Sequence, residues 1–364
     1  MKIANVILTS TNGGAEQVFI DYIRALKNLG HEVSAIVKSD APYIGKVEEL
    51  CSKIGTTTNS FGFYDFIAIK NIRKYLEEFD ADVVFVHTGR ASALTLKAVK
   101  KITKKKIFTI AINHSMNFKR SVGADLVLSV NKEIFYRTVD FGQKQDRSFV
   151  LHNAVSLHDK NDAEVKIDLL RKPEITIGVM GRFDEIKAFH LAILALKKIK
   201  DKNLNKKFRL KIAGSGPQEG YLRSLVEELS LQKDVEFVSW IDNKKIFFAQ
   251  IDIFCLTSIR ETFGLVLLEA MKFKTPIIST ACDGPKEVLR DGIDALKVEV
   301  NPTETIDERF ATAILRLSQE EGLAQKLVNN SFMRVQEKFS YAHLEASLNE
   351  IVGKVVEIKE ATPT

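Results

Sequence analysis

Short apolar runs alternate along the chain with longer segments in which apolar residues recur every three or four positions. The short runs predict buried strands, and the longer segments predict amphipathic helices that cover them. The predicted strands are 2–8, 33–37, 82–87, 107–112, 126–130, 175–180, 208–213, 235–238, 252–257 and 276–280. The predicted helices are 14–29, 44–54, 66–78, 90–101, 131–140, 187–200, 218–230 and 264–272. Strands that alternate with helices in this way form parallel sheets.

A polar stretch from Leu157 to Pro173 divides this alternation into two halves. Charged residues and a terminal proline are typical of a linker, and a chain of 364 residues fits two domains better than one. We therefore predict an α/β protein with parallel-sheet domains at 1–160 and 173–335. The apolar spacing at 340–358 predicts a further amphipathic helix.

The segment Glu261–Met271 carries the most specific chemistry in the sequence. It joins the predicted strand 252–257 to a helix, and it places the carboxylates Glu261 and Glu269 eight positions apart. That separation is about 12 Å along a continuous helix, which suits the two ends of an extended polar ligand better than the ~5–10 Å of a hydrolytic carboxylate pair. The first helical turn offers free backbone amides for an anion, here those of Phe263, Gly264 and Leu265. A sugar nucleotide, with hydroxyls on both sides of a diphosphate, is such a ligand.

Two further loops follow predicted strands. Arg182 and Lys187 lie five positions apart after the strand 175–180, and a guanidinium fork together with an ammonium charge suits a diphosphate. Gly13 and Gly14 open a helix after the first strand, where glycines let the backbone approach a ligand. In open α/β sheets, loops at the carboxyl ends of the strands bind the ligand.

In their order along the chain, these motifs resemble those of the retaining glycosyltransferases of family 4, also called group 1. This family includes bacterial lipopolysaccharide, capsule and mannolipid transferases, and the resemblance covers nearly the whole chain. It implies two Rossmann-like domains of the GT-B type that face a central cleft, with the C-terminal helix crossing back to the first domain. It also implies that a nucleoside diphosphate sugar binds to the second domain and serves as donor, with no cofactor. Ala188 stands where the family usually has a glycine after the lysine.

The resemblance assigns roles to individual residues. It implies catalytic roles for His114, which would lie near the reacting sugar, for Arg182 and Lys187 on the diphosphate, and for Glu261. His87 also ends a predicted strand, but His114 matches the family's cleft histidine. We expect Glu261 to contact the donor sugar and Glu269 the ribose. The predicted donor-binding residues are Gly13, Gly14, Trp240, Ile241, Phe263, Gly264, Leu265 and Glu269.

Positive charge is concentrated in the first half of the chain. The net charge is +6, and residues 83–124 contain nine basic residues and no acidic one. The segment 97–106 is either a solvated basic face or a surface for anionic lipid headgroups or an anionic acceptor. Nucleic acid is not expected, because no recognised motif or aromatic interleaving accompanies the charge.

Other features narrow the class of protein. Three scattered cysteines favour a reducing compartment, so we expect a cytoplasmic protein. The resemblance implies a glycan or lipid-linked acceptor, and with the basic segment 97–106 we expect the protein to be peripheral on the inner face of the cytoplasmic membrane. We predict no metal site, since Asp80-Ala81-Asp82 precedes a strand and lies at the end opposite the ligand-binding edge. Two alternatives are a sugar-nucleotide epimerase of similar architecture and a non-catalytic binding subunit of an envelope-assembly complex. The Glu261–Glu269 segment disfavours the epimerase, and the retained Arg182 and Lys187 disfavour the binding subunit.

Overall fold

The computed structural model describes residues 1–11, 13–58, 61–157, 167–239, 241, 243–300 and 305–360. The chain forms two compact units, each with its own parallel sheet and apolar core. The first unit contains Met1–Ala154 and the chain from Tyr341 onward, and the second contains Val155–Ser340.

Seven strands form the sheet of the first unit. They are β1 Lys2–Ile7, β2 Glu32–Lys38, β3 Ile54–Thr57, β4 Val83–His87, β5 Phe108–Asn113, β6 Leu126–Ser129 and β7 Ser148–Val150. Their spatial order is β3-β2-β1-β4-β5-β6-β7, and every neighbouring pair is parallel.

The sheet of the second unit contains six strands. They are β8 Glu174–Arg182, β9 Lys207–Ser215, β10 Val235–Val238, β11 Ile253–Leu256, β12 Ile277–Thr280 and β13 Leu296–Val298. Their order is β10-β9-β8-β11-β12-β13, again with parallel pairing throughout.

The helices are α1 Gly14–Asn28, α2 Ile44–Glu48, α3 Phe66–Phe79, α4 Gly89–Val99, α5 Lys132–Asp140, α6 His190–Asp201, α7 Glu219–Glu228, α8 Lys244–Phe248, α9 Leu265–Lys272, α10 Asp283–Val288, α11 Ile306–Gln319, α12 Leu323–Lys338 and α13 Tyr341–Glu360. Helices α1 to α10 lie between the strands in the chain, and α11 to α13 follow the last strand. The last helix packs in the first unit, as the resemblance implies, where Asn28 donates a hydrogen bond to Glu345 at 2.7 Å and Tyr341 bonds Asp21.

The alternation predicted from the sequence is confirmed, but some elements differ. The predicted helix 44–54 ends at Glu48, and the chain continues into β3, whose sequence Ile-Gly-Thr-Thr has no apolar run. β7 and β13 were also missed, because each is a three-residue strand at a sheet edge. Helices α8 and α10 to α12 lie outside the predicted elements as well. The buried residues of α11 recur at the three- and four-residue spacing that identifies such helices.

Each sheet has a point at which the strand order reverses. In the first sheet it lies between β1 and β4, and in the second between β8 and β11. The loops that leave two such strands run to opposite sides of the sheet, so a crevice opens beyond their carboxyl ends. Several of the residues singled out in the sequence lie at these two points: Gly13 and Gly14 follow β1, Arg182 ends β8, and Glu261 follows β11.

Ala188 gives a test of local strain. It adopts the left-handed conformation, with φ 48° and ψ 42°, and it is 2% exposed. This conformation costs a residue with a Cβ atom roughly 1–2 kcal/mol, of which the burial of one methyl group offsets about 0.8 kcal/mol. We expect Ala188→Gly to raise the free energy of unfolding by up to about 1 kcal/mol. Ala195→Gly, inside α6, should lower it by about 1 kcal/mol or more. Chemical denaturation of the two variants measures this difference, and equal losses in both would contradict it.

Candidate functional site

Arg182 is the last residue of β8, and its side chain is exposed. No carboxylate pairs with it in the part of the chain that the structure describes. The chain then makes a 3-10 turn at Glu185–Lys187, which is fixed because Asp184 Oδ1 accepts a hydrogen bond from the amide of Lys187 at 3.1 Å. The turn therefore presents a free guanidinium beside an ordered lysine.

Lys187 is joined to the loop after β11. Its Nζ lies 2.5 Å from Glu261 Oε2, and the two side chains are 25% and 16% exposed. Thr257 Oγ1 donates to the carbonyl of Lys187 at 2.7 Å, and the amide of Ile259 donates to the carbonyl of Ile186 at 2.9 Å. Since β8 and β11 are neighbours at the reversal point, residues 74 positions apart in sequence meet on one edge of the sheet.

The glycine-rich turn after β9 supports the Arg182 loop. The amide of Phe183 donates to the carbonyl of Ser215 at 2.8 Å. A Cβ atom on Gly214 would lie only 1.9 Å from the carbonyl oxygen of Gly181. A side chain at this position would therefore push the Arg182 loop away.

Gly284 supports the Glu261 loop in the same way. Its amide donates to the carbonyl of Glu261 at 2.9 Å, and a Cβ atom on Gly284 would lie 2.5 Å from the amide nitrogen of Phe263. The sequence interpretation missed this residue. Its signal is a Gly-Pro pair in the first turn after a buried strand, which is the same position relative to β12 that the other site loops have relative to theirs.

The start of α9 contains the predicted backbone anion site. Gly264 is the N-cap residue, with φ 88°, and the helix begins at Leu265. Within the described ranges, the amides of Gly264 and Leu265 have no hydrogen-bond acceptor, as expected for the first turn of a helix. Phe263 is different, because its side chain is buried and its ring packs edge-on against Phe339 at 5.9 Å. Only its backbone can face a ligand.

Glu269 lies on α9 with one oxygen paired and the other open. Its Oε1 bonds the ammonium group of Lys244, a residue that the sequence interpretation did not include. Its Oε2 is buried and has no hydrogen-bond partner in the described structure. Burial raises the pKa of this carboxyl, and the Lys244 charge opposes that shift. A buried acceptor without a donor is costly, so the site is suited to a ligand hydroxyl.

In the first unit, three side chains form a buried hydrogen-bonded chain. Asn5 Nδ2 donates to the carbonyl of Phe19 at 3.2 Å, which turns Asn5 Oδ1 toward His87 Nε2 at 2.9 Å. His87 Nδ1 lies 2.9 Å from His114 Nε2, and the two rings are stacked at 5.1 Å. Asn5 and His87 are each 0% exposed.

This chain fixes the protons on both imidazoles. A backbone carbonyl and an amide oxygen only accept, so His87 Nε2 must donate to Asn5. The neutral His87 then accepts at Nδ1, and His114 donates from Nε2. Burial lowers the pKa of His114 to about 4, and burial together with the neighbouring His114 holds the pKa of His87 well below its usual value. His114 is therefore neutral at pH 7 and keeps a lone pair on Nδ1 for a ligand.

In the glycine loop after β1, the side chain of Glu16 accepts hydrogen bonds from the loop. The amide of Gly13 donates to Glu16 Oε2 at 2.9 Å, and Thr11 Oγ1 donates to Glu16 Oε1 at 2.7 Å. The amide of Gly13 is therefore already hydrogen-bonded in this conformation, because the Glu16 side chain caps the start of α1. Gly14 is the first residue of that helix.

The remaining predictions concern the base-binding residues and the absence of a metal site. Ile241 is half-buried, and Trp240 lies outside the described residues. Asp80 and Asp82 both pair with Lys105, at 3.1 and 2.7 Å, just before the amino end of β4. Within the described ranges, no group of three or more His, Cys, Asp or Glu side chains could hold a metal ion.

The structure thus brings the predicted residues together in two groups. Arg182, Lys187, Glu261 and the start of α9 share one sheet edge in the second unit. His114 belongs to the first unit, together with its supporting residues Asn5 and His87.

Comparison with known families agrees with this arrangement. Residues 12–159 match the family described as Glycosyltransferase Family 4, and residues 160–334 match the family described as Glycosyl transferases group 1. The boundary between the two matches falls near the boundary of the two units. No helix in the described part of the chain is both long and apolar enough to cross a bilayer.

Individual relatives cover nearly the whole chain. The lipopolysaccharide core biosynthesis glycosyltransferase LpsE of Rhizobium meliloti is 24% identical over 90% of this chain and 92% of its own. The GalNAc-α-(1→4)-GalNAc-α-(1→3)-diNAcBac-PP-undecaprenol α-1,4-N-acetyl-D-galactosaminyltransferase of Campylobacter jejuni is 25% identical over 98% of this chain and 99% of its own.

Solved structures show the same fold. Anabaena HepE in complex with UDP-glucose aligns with a TM-score of 0.80 and 17% identity, over 97% of this chain and 100% of that one. The two parallel-sheet units are therefore the Rossmann-like domains of the GT-B fold. Because the two family matches follow each other directly and together cover residues 12–334, this protein belongs to the group 1 glycosyltransferases.

Proposed function

We propose that this protein is a retaining glycosyltransferase that transfers a sugar from a nucleoside diphosphate sugar to a cell-envelope glycan or glycolipid. The observation that carries the proposal is the Lys187–Glu261 ion pair beside the unpaired Arg182 and the open amides of α9. Relatives named for lipopolysaccharide core biosynthesis and for an undecaprenol-linked substrate support this class of acceptor. The UDP-glucose complex of HepE supports this class of donor.

The diphosphate is the group that these cations and amides suit. As the bond from sugar C1 to the phosphate oxygen breaks, negative charge builds on the diphosphate. Arg182, Lys187 and the amides of Gly264 and Leu265 stabilise that charge without a metal ion. In the unliganded site Glu261 neutralises Lys187, and an arriving diphosphate takes over this role. Glu261 is then free to bind hydroxyls of the donor sugar.

The ribose is assigned to Glu269. Its buried Oε2 has no partner among the described residues, and a ribose hydroxyl would supply the missing donor. Lys244 holds the other oxygen, so the carboxylate is oriented before the ligand arrives. As the sequence resemblance implies, we assign the nucleotide base to Trp240 and Ile241.

The reaction is proposed to proceed on one face of the sugar. The acceptor hydroxyl oxygen bonds to C1, the bond from C1 to the phosphate oxygen breaks, and the hydroxyl proton passes to that leaving oxygen. The neutral His114 offers Nδ1 as a hydrogen-bond acceptor for a sugar hydroxyl. It is a poor general base, because its pKa lies near 4.

The acceptor side is proposed to lie at the inner face of the cytoplasmic membrane. The basic segment 97–106 would attract anionic lipid headgroups. Lys105 takes no part in this, since it is already bound by Asp80 and Asp82.

The phosphate contacts give the first test. Arg182→Ala and Lys187→Ala should each lower kcat about 10²- to 10³-fold, by analogy with the loss of an oxyanion-hole donor. Arg209→Ala removes a charge of the same sign from the neighbouring strand, where Arg209 pairs only with Glu174, and it should leave kcat unchanged. Steady-state kinetics and thermal unfolding of all three variants separate catalysis from folding. Near-normal kcat in both site variants would refute the proposed donor site.

The proton arrangement on His114 gives the second test. At pH 7, nitrogen-15 NMR should show His114 protonated at Nε2 and unprotonated at Nδ1. The imidazole of His114 should stay neutral as the pH falls, until the pH approaches its pKa of about 4. His87→Phe keeps a ring in the same space but removes the acceptor for His114. We expect kcat to fall about tenfold, the effect of one lost hydrogen bond, with the KM for the donor unchanged. A His114 that titrates near pH 6.5 would contradict this arrangement.

The absence of a metal requirement is the third test. Transfer should persist after EDTA treatment, because the charge on the diphosphate is assigned to Arg182, Lys187 and the helix amides. Rates with and without added Mg²⁺ or Mn²⁺ measure this directly. A strict requirement for either ion would show that the proposed stabilisation of the leaving group is incomplete.

A further inference from the structure

The first unit exposes a cluster of large apolar side chains at the start of α3. Phe61 is 67% exposed, Tyr64 71%, Phe66 73% and Ile67 54%. We call these four residues the aromatic patch. Single exposed apolar residues are normal on a protein surface, but several together mark a site of interaction.

The local backbone holds these side chains outward. Asp65 is buried, and its Oδ1 accepts a hydrogen bond from the amide of Ala68 at 2.9 Å, which caps α3. Its Oδ2 accepts one from the amide of Phe61 at 3.2 Å. The opposite face of α3, with Ala68, Ile69, Ile72 and Leu76, is buried in the core. The start of α3 is therefore anchored, and the patch is a fixed surface.

Three cations pack on the rings of residues 63 and 64, within the segment that carries the patch. The guanidinium carbons of Arg90 and Arg120 lie 5.9 and 4.4 Å from the ring centre of Phe63, and Lys97 Nζ lies 4.7 Å from that of Tyr64. Lys97 also donates to the carbonyl of Phe63 at 2.9 Å. None of the three pairs with a carboxylate in the part of the chain that the structure describes. The surface therefore combines exposed rings with uncompensated positive charge.

We propose that the aromatic patch and its three cations form a docking surface for an anionic lipid bilayer. Aromatic rings prefer the headgroup level of a membrane, and arginine and lysine bind the phosphates there. Each basic residue near an anionic surface contributes about fivefold in binding. A second copy of this chain fits less well, because it would bring Arg90, Lys97 and Arg120 against the same cations.

The lysine-rich run after α4 is a weaker candidate for this contact. Lys105 is held by Asp80 and Asp82, and the exposed rings lie at 61–67. Docking through the patch would bring the enzyme to the membrane that contains the proposed lipid-linked acceptor. Vesicle binding is measured without donor or acceptor, so a failure of the docking surface and a failure of the proposed reaction can be distinguished.

A tryptophan reporter tests the contact directly. The natural chain has one tryptophan, so the difference between Phe66→Trp and the parent protein isolates the emission of position 66. Vesicles of phosphatidylcholine with phosphatidylglycerol should shift that emission to the blue, and vesicles of phosphatidylcholine alone should not. An unchanged emission with anionic vesicles would overturn the proposal.

Vesicle co-sedimentation with matched variants separates the contributions. The double variant Tyr64→Ser with Phe66→Ser should bind anionic vesicles at least tenfold more weakly. The control Tyr136→Ser, which removes a ring that is 57% exposed on α5, should bind like the parent. The pair Lys97→Gln with Arg120→Gln should weaken binding about 25-fold, from two charges of about fivefold each.

Two outcomes would overturn the proposal. One is equal vesicle binding by the parent and the double serine variant. The other is a parent that dimerises through the patch, seen by sedimentation as a mass that doubles with concentration and is lost in the double serine variant, without vesicle binding. Donor hydrolysis should be the same in all these variants, which checks that the second unit is intact.

Discussion

The ion pair between Lys187 and Glu261 depends on one constraint, the adjacency of β8 and β11 in a parallel sheet. The strand order reverses between them, so the loops that follow them open a crevice where side chains from distant parts of the chain meet. The rest of the proposed donor site is built around this pair. The turns at Gly214 and Gly284 come close enough to hold both loops in place. The first turn of α9 adds amides that the helix itself cannot satisfy.

Mutual neutralisation explains how such a site is stable before a ligand binds. Lys187 and Glu261 are both partly buried, and an isolated charge there would be costly. Each serves as the other's counterion. Glu269 follows a different rule. Lys244 satisfies one oxygen only, so this carboxylate is oriented but still has the capacity to accept a hydrogen bond.

The first unit uses neutral groups where the second uses charges. A row of hydrogen bonds starts at the carbonyl of Phe19, crosses the reversal point through Asn5 and His87, and ends at His114 after β5. Burial keeps both imidazoles neutral, so His114 keeps an unprotonated Nδ1 that can accept a hydrogen bond. The same unit also carries the exposed rings of the aromatic patch.

The sequence by itself determined the alternation of strands and helices, the division into two sheets and the identity of the charged residues, because periodicity and turn residues are local signals. It missed the short edge strands β3, β7 and β13, which have no continuous apolar run. Tertiary structure alone decided which residues share a site. Lys244 reaches Glu269, Asn5 reaches His87, and Gly284 reaches Phe263 only after strands distant in sequence have paired. It also decided that Lys105 is bound by Asp80 and Asp82 while Phe66 faces outward, since exposure and pairing arise only when the helices pack on the sheet.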